Sequence, residues 1–306
     1  MLFTDLLNKK HEILLPEFNQ LFEDILKSQS HPGDLLLTRI NGFYYPEVYK
    51  WSNIENKNPY MIGMGSEGIS DRCHYKFIDT YRKTSIAKLT YEDYLKQHIW
   101  SEEKAKEIKI LENQESLFMQ IEMLIYLKIW EADLFIKKFY EIVNLSLGNS
   151  YDWHFKINES NRDNDSTGNR ETIIRKKIRD QLKGKYPAIY TALKNAYKTQ
   201  IRNSIAHSRY FVSGNYIHLG NYIEEDKASQ IQVLNFEEWV EIFHNTMSIY
   251  NQLIGFCNRI DDYYSASSEM TNGLINVRLS RKYPVKKTEY FDVKYSKENN
   301  DWFPVK

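Results

Sequence analysis

Apolar residues recur at helical spacing over much of the chain. Phe18, Leu21, Phe22, Ile25 and Leu26 follow such a period and predict an amphipathic helix over residues 16 to 27, with Pro16 at an early position. From residue 30 to 90 the period dissolves into Gly, Pro, Asn and Tyr with short apolar patches, which predicts an irregular or mixed region. Leu117, Ile121, Leu124, Leu127, Phe135, Phe139 and Ile142 restore the helical period and predict one core helix over residues 112 to 147. The polar stretch 157 to 170, INESNRDNDSTGNR, has no apolar period and reads as an exposed loop. Two basic helices are expected next, near residues 171 to 182 and from Pro187 onward, the second burying Ile189, Leu193, Tyr197, Ile201 and Ile205. In YFVSGNYIHL, residues 210 to 219, Ser-Gly-Asn divides two short β-prone runs and predicts a hairpin. Asn235 followed by Glu238 resembles a capping box, opening a helix to about residue 262 with Phe236, Trp239, Val240, Phe243, Met247, Tyr250, Ile254 and Cys257 as its stripe. Beyond Ser265 the period shortens, with Ile275, Val277 and Leu279 alternating, as do Phe291, Val293 and Tyr295, so a small C-terminal β element is expected. The fold class read from these patterns is mainly α.

Composition narrows the class. With 306 residues, 42% apolar and 14% aromatic, the chain can bury one large or two modest cores. No run approaches the roughly eighteen apolar residues of a membrane span, and MLFTDLLNKKHE lacks the basic-then-apolar order of a secretory leader, so a soluble cytoplasmic protein without a membrane partner is expected. Cys73 and Cys257 belong to no zinc-type cluster and are read as reduced thiols in the core; neither a metal nor a cofactor is expected. Basic and acidic residues balance at 41 each. Locally the balance fails: residues 170 to 209 carry eleven Lys and Arg against Glu171 and Asp180, which reads as a solvated helix face or as a phosphate-binding surface.

The chemistry concentrates in TQIRNSIAHSRYF, residues 199 to 211, where Arg202 is followed at once by Asn203 and, five positions on, by His207. Cleavage of RNA by its own 2′-hydroxyl needs a proton acceptor, a proton donor and stabilisation of a doubly negative phosphorane. An imidazole titrates near neutrality and can move protons, and a guanidinium keeps its charge and presents a planar fork to phosphate oxygens. Five positions on a regular helix lie about 140° apart, so either the helix ends between Arg202 and His207 or the pair acts together with another chain. The plainer reading is a His capping a helix terminus beside a structural Arg. In KIWEADLFIKKFY, residues 128 to 140, Glu131 shares a face with Leu124, Phe135 and Ile142, and a carboxylate there needs a partner.

The motif ends an amphipathic helix, follows a basic stretch and precedes a hairpin and a long helix. This arrangement resembles the HEPN superfamily, helical domains whose nuclease members carry Arg, a polar residue and then His; Arg202, Asn203 and His207 match residue by residue. The resemblance implies a HEPN-like helical bundle over residues 111 to 265, between an N-terminal region 1 to 110 of unassigned role and a β appendage 266 to 306. It implies metal-independent endoribonuclease activity, an active site completed by a homodimer, and a role as a toxin or in antiphage abortive infection, with an antitoxin or sensor protein as a further partner. Some HEPN nucleases are similar in carrying an acidic Glu-x-Asp on an early helix. Here that is Glu131 and Asp133, about 200° apart on a helix, and Glu131 is preferred as the partner of Arg202 or His207, with a structural ion pair as the alternative. Arg175, Lys176, Lys198 and Arg209 are expected to guide RNA. Members paired with a nucleotidyltransferase antitoxin place a Tyr two residues after the His; Tyr210 comes three after, so modification there is not implied. The rivals are a non-catalytic HEPN-type module binding RNA, nucleotide or a protein, and a purely structural dimerisation domain.

Gly63, Gly65 and Gly68 spell G-x-G-x-x-G, but no clear helical stripe follows, and a turn needing positive φ is the expected reason for the glycines.

Overall fold

The computed structural model describes residues 1–50, 57–157, 168–226, 228–269, 271–299 and 301–305. Most of the expected loop at 157 to 170 therefore lies outside the described residues. In chain order the elements are α1 (Thr4–Ser28), α2 (Asp34–Ile40), β1 (Gly42–Tyr44), β2 (Tyr60–Ile62), α3 (Gly65–Thr84), α4 (Tyr91–Lys96), α5 (Ala105–Glu131) and α6 (Asp133–Ser146). There follow α7 (Asn169–Thr172), a π-helical stretch (Ile173–Arg179), α8 (Asp180–Leu182), α9 (Pro187–Ala196), α10 (Thr199–Ala206), β3 (Tyr210–Ser213), β4 (Tyr216–Leu219), β5 (Val233–Asn235), α11 (Phe236–Glu269), β6 (Leu274–Arg281), β7 (Lys287–Ser296) and β8 (Asp301–Pro304). The protein is mainly helical, and its described residues form three small antiparallel sheets ordered β1-β2, β3-β4-β5 and β6-β7-β8. None of its described helices is long and apolar enough to cross a membrane.

The chain divides into two compact units, Met1–Glu17, Arg72–Ala132 and Lys185–Gln252 in the first, and Phe18–Asp71, Asp133–Gly184 and Leu253–Lys306 in the second. In the first, α5, α10 and the start of α11 enclose a core in which Tyr126, Trp130, Trp239 and Phe243 are fully buried. A buried carboxylate, Glu122, is satisfied there: it accepts from Trp239 Nε1 at 2.8 Å, from the Tyr81 hydroxyl at 2.6 Å and from the Met1 ammonium. His244 is equally enclosed, its Nε2 accepting from the Phe3 N–H at 3.0 Å while Nδ1 faces the Val240 carbonyl at 2.8 Å. In the second unit Trp153 is buried, and its Nε1 donates to the Arg278 carbonyl at 3.0 Å. Gly42 lies flat against that ring, where a Cβ would come within 2.8 Å of it, so the chain can pass only without a side chain.

Several expectations hold. The hairpin forms with Gly214 in the left-handed region of its turn. The capping box is reciprocal, Asn235 N–H to Glu238 Oε2 at 2.9 Å and Glu238 N–H to Asn235 Oδ1 at 2.8 Å. The C-terminal alternation becomes a three-stranded meander with Val277, Leu279 and Val293 buried.

Others are corrected. α1 starts at Thr4, placing Pro16 inside it, and Leu2, Phe3 and Leu14 are buried. An interior proline costs roughly 3 kcal/mol, and the burial of apolar side chains of this helix, Leu14 among them, works against that cost. The expected single helix over residues 112 to 147 is two, because Ala132 turns to an extended conformation (φ −72°, ψ 104°) and α6 restarts at Asp133. A one-residue break barely disturbs the apolar period, so the pattern hides it. The phase of the stripe was also different: α5 buries Met119, Met123, Ile125, Tyr126 and Ile129, while Leu117 and Leu124 are 60% and 49% exposed. The helix from Pro187 is likewise divided into α9 and α10, although all five expected core positions are buried. α11 extends to Glu269. Cys73 is exposed and Cys257 half-buried, so neither is a core thiol. A helix, α3, does open within the glycine pattern, at Gly65; β2 before it pairs antiparallel with β1, which is not the parallel βαβ arrangement of a dinucleotide site. Gly63 (φ 126°) and Gly65 (φ 62°) supply the expected positive-φ turn.

Candidate active site

Arg202, Asn203, His207 and Glu131 all belong to the first unit. What aims them is the junction between α9 and α10. Tyr197 and Lys198 are both extended (ψ 113° and 111°), with Tyr197 packed edge-on against Trp130 at 5.1 Å between centroids. The buried Tyr126 hydroxyl accepts from the Lys198 N–H at 3.0 Å and donates to the Lys198 carbonyl at 3.4 Å, satisfying a backbone that belongs to neither helix. Burial raises the Tyr126 pKa, so the phenol keeps its proton for this role.

α10 then buries Ile201 and Ile205 against α5 and turns Arg202 and Asn203 partly outward. Gln200 locks its first turn, with Oε1 accepting from the Ile231 N–H at 2.9 Å and Nε2 donating to the Ile231 carbonyl at 2.7 Å. The Arg202 guanidinium is held on two sides. Its Nε lies 2.5 Å from Glu131 Oε1, and Nη1 donates to Asn203 Oδ1 at 2.6 Å.

The helix ends between Arg202 and His207. Ser208 adopts the left-handed conformation (φ 52°), its N–H bonding the Ile205 carbonyl at 3.1 Å, and the Arg209 N–H bonds the Ser204 carbonyl at 2.8 Å. These two bonds make a Schellman motif with Ser where Gly is usual, and His207 is the residue it places at the cap. Ser204 Oγ closes the turn by donating to the Arg209 carbonyl, and Arg209 binds Gly220 in both directions, N–H of Gly220 at 2.7 Å and guanidinium to carbonyl at 3.0 Å. The His207 imidazole is exposed and meets no hydrogen-bond or charge partner among the described residues.

The acidic pair is split by the break at Ala132. Glu131 faces Arg202, whereas Asp133, in the second unit, pairs with Arg170 at 2.7 Å. Of the residues expected to guide RNA, Lys198 and Arg209 flank the motif in the first unit, and Arg175 and Lys176 lie on the π-helical stretch of the second. Tyr210 is half-buried at the start of β3, opposite Leu219, as a hairpin core residue would be. Tyr126, Gln200 and the clasp of Ser204 on Arg209 were not expected from the sequence; Ser208 carries no glycine signal, and the partners of the others lie far along the chain.

Among the described residues no group of three or more His, Cys, Asp or Glu side chains is placed to hold a metal ion. No family model matches this chain, and neither a curated protein nor a solved structure is found to be similar to it.

Proposed function

We propose that the protein is a HEPN-type endoribonuclease in which Arg202 and His207 act on one phosphodiester without a metal. The observation that carries this reading is the contrast within α10: a guanidinium fixed by Glu131 and Asn203, and five residues on an exposed, unengaged imidazole at a clasped helix end.

His207 takes the proton of the 2′-hydroxyl as that oxygen attacks phosphorus, and a proton returns to the departing 5′-oxygen. The products are a 2′,3′-cyclic phosphate and a 5′-hydroxyl, with no water consumed. Arg202 meets the non-bridging oxygens through N–H groups beyond those turned to Glu131 and Asn203, and stabilises the charge of the phosphorane. Glu131 and Asn203 are positioning residues. Lys198 and Arg209 attract the strand.

A homodimer supports the same site. Ile110, Leu117 and Leu124 recur every seven residues on α5 and are all at least 49% exposed, an apolar stripe that a second copy would cover. Antiphage defence or toxicity, with an antitoxin or sensor as partner, follows from the family resemblance.

The test is incubation with single-stranded RNA in EDTA. Cleavage that survives chelation, leaves cyclic phosphate ends and is abolished by His207→Ala and Arg202→Ala is expected. Cleavage lost on chelation, or retained by His207→Ala, would overturn the mechanism; binding without cleavage would instead favour a non-catalytic RNA-binding module.

A further inference from the structure

The second unit carries a feature that this reading leaves unused, at the turn joining β6 to β7. Residues 281 to 287, RKYPVKK, contain four basic residues and no acidic one, and Tyr283 and Val285 are 58% and 68% exposed. The Tyr283 ring nevertheless has fixed neighbours. Its centroid lies 5.8 Å from Tyr44 at an interplanar angle of 33°, and 5.9 Å from His154; Tyr44 and His154 are themselves 4.7 Å apart at 36°. Buried Tyr60 anchors the turn behind them, its hydroxyl accepting from the N–H of Lys282 at 3.0 Å and of Tyr283 at 3.3 Å, with the Arg281 guanidinium 4.7 Å from its ring centroid. Three rings thus form a step whose outermost member is open to solvent and mounted on a pinned backbone.

Arg281 and Lys287 both pair with Glu289, the second at 2.5 Å, so the exposed basic side chains of the turn that are not held by it are Lys282 and Lys286. Lys282 is 57% exposed and shares only a long contact, 3.6 Å, with Asp152. Burial, followed by the Lys282 charge and, more weakly, Lys156, lowers the His154 pKa against the opposing Asp152 carboxylate and a backbone bond at Ser280. The imidazole is therefore neutral at neutral pH and offers a π-face.

We propose that this step binds an unpaired base of single-stranded RNA, the base stacking on Tyr283 and its phosphates meeting Lys282. Every base has a π-face, so such a platform tolerates sequence, and the basic turn complements the backbone. The choice of RNA rests on the ribonuclease reading; the stacking chemistry does not.

Fluorescence anisotropy of labelled oligouridine and oligoadenosine RNA tests it, in an Arg202→Ala background so that no strand is cut. Tyr283→Ala is expected to weaken binding by about 5- to 150-fold, the range for loss of one stacked base. Tyr283→Phe should bind within about two-fold of the parent, because the stacking face is kept. Lys282→Gln should reduce the slope of log affinity against log salt by about 0.7. Circular dichroism of each variant controls for folding. An unchanged Kd in Tyr283→Ala, duplex RNA bound as tightly as single strands, or binding of anionic vesicles in place of the oligonucleotides would overturn the proposal. Binding that depends on Tyr283, while the protein with Arg202 intact cleaves no RNA in EDTA, would uphold this site and end the ribonuclease reading; cleavage by the protein with Arg202 intact, and no effect of Tyr283 on binding, would do the reverse.

Discussion

Replacing Glu131 by Gln tests the arrangement around Arg202 most directly. The substitution keeps the shape and one acceptor oxygen but removes the charge 2.5 Å from Arg202 Nε. Fully exposed ion pairs contribute about 0.2–1 kcal/mol, and breaking fully buried ones costs about 3–5. Here the side chains of Arg202 and Glu131 are 20% and 31% exposed, so the pair falls between these limits. A loss of about 1–2 kcal/mol is expected, which for a chain of this size lowers Tm by roughly 2–8 °C. The larger effect is on chemistry. Arg202 would keep its bond to Asn203 but lose the contact that sets its fork, and a misplacement of about 1 Å can cost up to 10²-fold in rate. Single-turnover cleavage should fall about 10- to 100-fold with KM little changed, and Glu131→Asp should restore part of it. Full activity in Glu131→Gln, or a loss confined to KM, would refute the claim that this carboxylate positions the phosphate clamp.

Other consequences are open to measurement. Ser208→Gly relieves a left-handed non-glycine residue and should raise stability by roughly 0.5–1 kcal/mol in urea denaturation, whereas Ser208→Val should lower it and reduce cleavage by displacing His207. Leu117→Glu with Leu124→Glu should convert a dimer to monomer in light scattering and abolish cleavage; a monomeric, fully active double variant would contradict the shared site. Burial depresses the His244 pKa from 6.5 to about 4, so the unfolded chain binds more protons between these values; stability is full above about 6.5 and is lost as pH falls toward 4. Glu115 has the opposite sign: burial raises its pKa from 4.5 to about 7, and stability falls as pH rises through that window. Urea midpoints of His244→Gln and Glu115→Gln against pH should lose these slopes respectively. Glu17 accepts from the N–H groups of Ala188 and Ile189, both at 2.9 Å, and so caps α9 from a distance; Glu17→Ala should cost about 1–2 kcal/mol by thermal melting.

Local signals in the chain were legible where the structure is local. Asn235 and Glu238 satisfy each other within one turn, and Gly214 supplies its own turn, so neither depends on anything distant. The sequence order Arg202, Asn203, His207 was visible for the same reason, and so was the buried stripe from Ile189 to Ile205. The phase of α5 was not: a period of apolar residues identifies a helix, but exposed Leu117 and Leu124 look the same in sequence as buried Met119 and Met123. The break at Ala132 and the division of α9 from α10 leave no mark in the sequence, because neither involves Pro or Gly and each keeps the apolar period across it.

Sequence by itself determined the mainly helical character, the hairpin, the C-terminal strands and the residue types available for chemistry, since these follow from spacing over a few residues. Tertiary structure alone decided that Glu131, preferred from its helix face, meets Arg202 and not His207, that Tyr126 secures the start of α10, and that Ser208 ends this helix at His207. Each of those outcomes depends on groups far apart along the chain or on backbone strain that the surrounding bonds impose, and no local pattern encodes either.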